Sequence, residues 1–280
     1  MATSETCTIA TTRMPLVFSM TSGKGGVGKT SLSVNLAICL ARMGKRVLLL
    51  DADLGLANVD VILGLTPPHN LFHLFRDDMG VKDILYRTPF GFDILPAASG
   101  VTDMIRLSTG QKLELLGAMD SLEDRLDYLI VDTGAGINDN VLYFNLAAQE
   151  RVIVLTPEPT SLTDAYALIK VLKLNHQVER FRVLVNMAQY PQEPKEVFGR
   201  LYKACDHFLD GVSLNLAGVI PLDPAVKIAV IQQTPFCSLG LESPAARAVT
   251  KVAETILTWN VATNIDGNIK FFWKKLLFQC

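Results

Sequence analysis

Residues Gly23-Lys24-Gly25-Gly26-Val27-Gly28-Lys29-Thr30 spell G-x-x-x-x-G-K-T, a spacing that suits the cradling of nucleotide phosphates. Glycines let successive backbone N–H groups turn toward an anion, and a helix beginning behind them adds the positive end of its dipole. Lys29 then reaches the β- and γ-phosphates, Thr30 offers a hydroxyl to Mg²⁺, and Ser31 stands beside them as a further contact. The same letters, Gly23-x-Gly25-x-x-Gly28, also satisfy the dinucleotide fingerprint, and acids follow about twenty residues on at Asp51 and Asp53. Lys29-Thr30 separates the two readings: a pyrophosphate turn needs neither residue, whereas a triphosphate with Mg²⁺ uses both. The expected cofactors are therefore ATP or ADP and Mg²⁺.

Such a loop must be held by a strand before it and a helix after it. Strand-like runs fall at 16–20, 46–50, 92–96, 128–132, 151–155, 181–186 and 217–221, with helical patterns between them at 30–43, 109–126, 138–148, 161–176, 192–208, 224–233 and 243–259. The runs at 128–132 and 151–155 are apolar nearly throughout, as strands buried on both faces of a parallel sheet are. This alternation predicts an α/β fold, a doubly wound, mostly parallel sheet flanked by helices, in a single domain. Ligands of such sheets sit beyond the carboxyl ends of the strands. Asp51, Asp53 and Asp132 are expected at that edge with the phosphate loop. Asp132, a carboxylate ending an apolar strand, has the place of a residue that holds the Mg²⁺ hydration shell; a capping role is the alternative. The run Gly218-Val219-Ile220-Pro221-Leu222-Asp223 ends the last strand, which puts Pro221 and Asp223 beside the base.

Lys24, a second lysine just after the first glycine, marks the deviant Walker A motif, and with it the sequence resembles the MinD/ParA family of dimeric P-loop ATPases. That resemblance implies a homodimer in the ATP state, with Lys24 crossing to the partner's nucleotide. It implies that Asp53 orients or deprotonates the attacking water and that Asp51 supports the Mg²⁺ site. It further implies that the Gly136 amide faces the γ-phosphate and that Asn186 reads the adenine edge. Gly134 departs from the family pattern, where alanine or proline is common, and a more flexible second switch segment is expected there.

The run Pro157-Glu158-Pro159-Thr160-Ser161-Leu162-Thr163-Asp164-Ala165-Tyr166-Ala167-Leu168-Ile169-Lys170, with Thr160 or Ser161 as the candidate helix cap, is similar to the flagellar number regulators of the FleN/FlhG type. So are Asp51 to Leu65, Pro96-Ala97-Ala98-Ser99-Gly100 and Arg182 to Ala188. The resemblance implies control of flagellar number and flagellar gene expression. Its implied partners are a flagellar transcriptional activator (FleQ-type) or a flagellar placement GTPase (FlhF-type). The arm before residue 15 lacks the D-Q-A-x-x-L-R motif that some members use on that GTPase, so the resemblance does not extend to direct GTPase stimulation.

Composition narrows the other classes. A net charge of −2 argues against a protein that coats nucleic acid, and direct DNA binding is not expected. The five cysteines contain no C-x-x-C pair, which fits reduced thiols and weakens a metal-cluster carrier. His69 and His73 are a near pair without a third ligand in view, so packing is their default role. No signal peptide or spanning segment is read, which makes the expected location cytoplasmic, peripheral at the inner face of the plasma membrane. The expected organisation is a flexible N-terminal arm at 1–14, the P-loop ATPase domain at 15–260, and a linker with a C-terminal amphipathic helix at 261–280. Within the tail, Ile269, Phe272, Trp273, Leu276, Leu277 and Cys280 form one helical stripe with Lys270, Lys274 and Lys275 outside it, a pattern suited to an anionic membrane. Phe271 and Phe278 fall on the far side, so a helix packed on its own domain is the competing reading. Partition-type (ParA-like) and division-site (MinD-like) positioning ATPases remain the alternatives for the whole chain.

Overall fold

Alternate residues of the first strand point to opposite layers: Leu16, Phe18 and Met20 enter one core and Val17 another. Both sides are buried because helices cover the sheet on each face, which is why the central strands read as unbroken apolar runs. The computed structural model describes residues 14–76, 79–98, 107–240 and 242–259. Eight strands, β1 (Leu16–Ser22), β2 (Val47–Ala52), β3 (Tyr86–Arg87), β4 (Asp93–Leu95), β5 (Tyr128–Ala135), β6 (Glu150–Leu155), β7 (Arg180–Ala188) and β8 (Ser213–Pro221), form one sheet in the order β3-β4-β2-β5-β1-β6-β7-β8. All pairings are parallel except β3 with β4.

One face carries α1 (Lys29–Arg42), α2 (Val59–Leu63), α9 (Pro224–Ile231) and α10 (Pro244–Leu257). The other carries α3 (Leu71–Arg76), α4 (Val81–Ile84), α5 (Thr109–Asp120) and α6 (Asp139–Ala147) over β2 and β5, and α7 (Pro159–His176) with α8 (Glu193–Phe208) over β6 and β7. Trp259, just past α10, sits edge-on to Phe18 with ring centroids 5.9 Å apart. The Arg182 guanidinium lies over the Trp259 ring, 4.6 Å from its centroid.

The long elements fall where hydrophobic periodicity placed them, within a few residues. The departures are short elements held by tertiary contacts. β3 and the three helices α2, α3 and α4 were not anticipated, because two to six residues carry no readable period. α7 begins at Pro159, two residues earlier than predicted, and neither Thr160 nor Ser161 caps it: the fixed φ of proline starts the helix, and the Ser161 hydroxyl accepts from Thr156 N at 3.0 Å. α5 ends at Asp120, and a 3₁₀ turn at Glu123–Arg125 takes up the rest of the predicted 109–126 helix. The amphipathic segment 268–280, the 1–13 arm and part of the Pro96–Gly100 run lie outside the described residues. Among those described, no helix is long and apolar enough to cross a membrane.

Candidate functional site

β1, β2, β5 and β7 deliver their carboxyl ends to one edge of the sheet, and the chain turns there into the phosphate loop. Gly28, the residue before α1, has a φ of 89°, and a Cβ on it would lie 2.5 Å from Asn186 Nδ2, so both backbone and packing demand glycine. Gly23 answers to a different neighbour: a side chain there would run into the backbone carbonyl of Asp164 in the first turns of α7. The loop is therefore seated against the segment that follows β6.

Lys29 is buried, and its Nζ donates to Ser22 Oγ at 2.9 Å; that hydroxyl donates in turn to the Lys24 carbonyl at 2.6 Å. Burial pushes the Lys29 ammonium below the ordinary lysine range, while Asp132 and Asp53 pull it back up. Asp132 is buried at the end of β5. Burial raises its carboxyl to about 6, against hydrogen bonds from the Thr30 and Ser33 hydroxyls and the field of Lys29. Ser33 Oγ is 2.7 Å from Asp132 Oδ1. Thr30 and Asp132 thus bring two hard oxygen donors together, a donor set that suits Mg²⁺, and a cation there would offset the buried charge. Among the described residues no group of three or more His, Cys, Asp or Glu could hold a metal by itself, so an ion here needs phosphate oxygens as well.

Asp51 pairs in register with Asp132 on the adjacent strand. Burial first, and then the Asp132 charge, push its carboxyl well above the usual range. Rather than standing open to a cation, its Oδ1 accepts from Asp53 N, and its Oδ2 from Asn58 N and Val59 N, all at 3.1 Å. The carboxylate clamps both ends of the segment that carries Asp53 and opens α2. Asp53 itself is half-buried, its carboxyl raised by burial and lowered by Lys29. A Cβ on Gly134 would sit 3.3 Å from Asp53 Oδ1, so the missing methyl makes room for that carboxylate.

Two predicted contacts are engaged elsewhere. The Gly136 amide, expected to face a γ-phosphate, donates to the Ser22 carbonyl at 2.9 Å, because β5 runs on beside β1 as far as Ala135 and Gly136 continues the ladder. Lys24 Nζ, expected to leave its own subunit, is 2.6 Å from Glu158 Oε2 and 3.0 Å from Thr160 Oγ1. The side chains of that pair are 37% and 62% exposed, so it is worth well under about 1 kcal/mol.

The base side is different in kind. A pocket of about 530 Å³ joins Gly28 and Ser31 of the loop to Asn186, Pro221, Asp223 and the apolar wall formed by Val226, Ile231 and Phe236. Asn186 Nδ2 donates to the Val27 carbonyl at 2.8 Å; since a carbonyl only accepts, the amide nitrogen must face it and Oδ1 is left for a ligand. Met187 beside it holds a φ of 57°, a strained value for methionine. Asp223 ties α9 to α10. Burial pushes its carboxyl up, but bonds from Ala245 N at 3.1 Å and Ala225 N at 2.9 Å hold it below the ordinary value.

The structure thus gathers the loop residues, Asp51, Asp53 and Asp132 at one place, with Asn186, Pro221 and Asp223 alongside. Sequence reasoning passed over Ser22, Ser33, Glu158 and Phe236. Ser33 was findable, standing one helical turn after Lys29 on the same face. Phe236, remote in sequence and bearing no reactive group, left no signal.

A family profile described as an AAA domain matches residues 16–185, and one described as a NUBPL iron-transfer P-loop NTPase matches residues 114–257. The antiactivator FleN of Pseudomonas aeruginosa is 49% identical over 261 residues, covering 93% of this chain and 93% of that protein. The flagellum site-determining protein YlxH of Helicobacter pylori is 30% identical over 262 residues, 92% of this chain and 88% of the other. Among solved structures, the septum site-determining protein MinD of Pyrococcus horikoshii, complexed with Mg-ADP, superposes with a TM-score of 0.72 at 28% identity, covering 87% of this chain and 96% of that one.

Proposed function

We propose, from the premise that this chain belongs to the MinD/ParA family of P-loop ATPases, that it is an ATP-hydrolysing switch which restrains flagellar number and flagellar gene expression. In this reading Mg·ATP joins two copies face to face. Lys29 neutralises the β- and γ-phosphates, Thr30 and Asp132 hold Mg²⁺, and Asp53, kept in place by Asp51, orients the attacking water. Mg²⁺ supplies neutralisation of the phosphate charge; phosphoryl transfer otherwise asks positioning of the protein. Asn186, whose Oδ1 is left for a ligand, favours a base with an amine at C6, as adenine has and where guanine carries a carbonyl oxygen.

The observation that supports the switch is the contrast between Lys24 and the groups beneath it. The loop's other cation, Lys29, is buried, whereas Lys24 is kept at the mouth by exposed contacts with Glu158 and Thr160. Exchanging that pair for a partner's phosphates costs little and gains a charge-assisted contact. ATP binding would also draw the Gly136 amide from the Ser22 carbonyl, giving the second switch segment two positions.

The flagellar assignment rests on the antiactivator and site-determining relatives. It implies a transcriptional activator of the FleQ type, or a placement GTPase of the FlhF type, as the protein partner. Residues 268–280 are proposed as the membrane contact, two weak helices acting together in the dimer. Deleting the gene and counting flagella per cell tests this: an increased number is expected, and an unchanged number would discard the flagellar reading while leaving the ATPase reading intact. A partition role would instead show salt-sensitive DNA retention in the ATP state.

A further inference from the structure

The two edges of the sheet are protected unequally. At one edge β3 is two residues long, turned antiparallel, and carries Arg87 paired with Asp93 at 3.1 Å. At the other, β8 runs for nine residues, Ser213-Leu214-Asn215-Leu216-Ala217-Gly218-Val219-Ile220-Pro221, with no charged side chain and with Leu216 44% exposed. Edge strands of this length present a row of unpaired N–H and C=O groups, and proteins commonly blunt them with charge, proline or brevity. Here the protection is two register shifts against β7 and a terminal proline.

Beside this edge lies a groove of about 400 Å³ between β8 and α10, floored by Ala217, Gly218 and Val219 and walled by Ala248, Arg247 and Lys251. Gly218 creates it: a Cβ there would collide with Val252, so only glycine lets α10 lie this close under the strand. Arg247 and Lys251 stand one helical turn apart on the same face of α10, both exposed. Neither has a carboxylate within ion-pair distance among the described residues; Arg247 Nη1 donates to the Glu242 carbonyl and its field reaches Asp223, whose oxygens already take Ala225 N and Ala245 N.

We propose that the β8 edge and this groove form a docking site for an extended acidic segment of a partner protein, which adds a strand to the sheet and sets its carboxylates against Arg247 and Lys251. Main-chain pairing supplies affinity and the groove supplies side-chain selection, the usual division in strand addition. The two cations decide the occupant. The chain's own tail carries Lys270, Lys274 and Lys275 and would be repelled. A second copy pairing edge to edge would oppose two Arg247–Lys251 pairs across its two-fold axis. An acidic strand meets no such penalty.

The test uses the full chain and a fluorescein-labelled nine-residue peptide alternating glutamate with valine, with a matched peptide carrying lysine for glutamate. Fluorescence anisotropy is expected to show binding of the acidic peptide alone. The affinity should fall at least tenfold in the double variant Arg247→Glu, Lys251→Glu, and also in Leu216→Lys, while nucleotide binding stays unchanged in both. Equal binding of the two peptides, no binding of either, or indifference to these substitutions would overturn the proposal. Hydrogen exchange of the free chain adds a second reading. Fast exchange of the outward β8 amides is expected, whereas slow exchange without peptide would show the tail or a second copy already seated there.

Discussion

The phosphate half and the base half of the nucleotide site are built on opposite principles. Around the phosphate loop, Lys29, Asp51 and Asp132 are buried, and each shares at least one hydrogen bond with a neighbouring strand, loop or helix. In the pocket beside the loop, the wall is apolar and its outer residues, Leu222, Val230 and Ile231, are exposed. Charge in a low-dielectric setting has to be paired, so one misplaced group on the phosphate side leaves another stranded. An apolar wall has no such stake, and its residues are interchangeable within their volume. In the proposed reading, chemistry concentrates in the first half, and the second half holds and discriminates.

Substitutions can break this comparison in graded steps. The largest effect is expected at Asp53: Asp53→Ala should lower kcat by about a thousandfold, as loss of a group that orients the nucleophile does, while Kd for ATP stays within about threefold. A phosphate-release assay beside calorimetric titration checks both. Lys29→Ala should weaken Mg·ATP by about a hundredfold, read by the same titration, because its loss leaves Asp132 and the phosphates unneutralised.

Asp132→Asn should weaken Mg·ATP by about tenfold yet stabilise the nucleotide-free chain. The folded carboxyl titrates at about 6 and the unfolded one at 3.8, so the folded protein keeps a proton that the unfolded chain releases between those values. The contribution of this residue to stability therefore falls as pH rises from about 4 to 6 and is lowest above. Removing the charge should return about 3 kcal/mol at pH 7.5, several degrees in Tm, and flatten that stretch of the stability–pH curve.

On the base side, Asn186→Ala should cost about tenfold in preference for ATP over GTP, measured by competition binding. Ile231→Gln, at a rim position 72% exposed, should change affinity by less than about twofold and leave Tm unmoved. A large loss there would erase the distinction between the halves.

The same contrast governs what the sequence could disclose. Phosphate binding imposes residue types at fixed spacing, so Gly23 to Thr30 announced itself, and strand ends carrying Asp51 and Asp132 followed from the apolar runs before them. The detailed engagements stayed hidden. That Asp51 serves the switch backbone, and that Gly136 and Lys24 have partners within their own chain, depends on distances no spacing encodes. The wall of the pocket beside the loop was half legible: Asn186 and Pro221 lie at or near strand ends and Asp223 just beyond one, but Phe236 arrives from a loop after α9 by tertiary packing. Cys39 and Cys237, nearly two hundred residues apart in the chain, have their Sγ atoms 3.8 Å apart in the core between α1 and that loop.

Sedimentation velocity of the Asp53→Ala protein saturated with Mg·ATP, with and without Lys24→Ala, tests the switch most directly. Dimers are expected for Asp53→Ala, monomers in ADP, and a weakened or absent dimer once Lys24 is removed. Monomers throughout in Mg·ATP would contradict it.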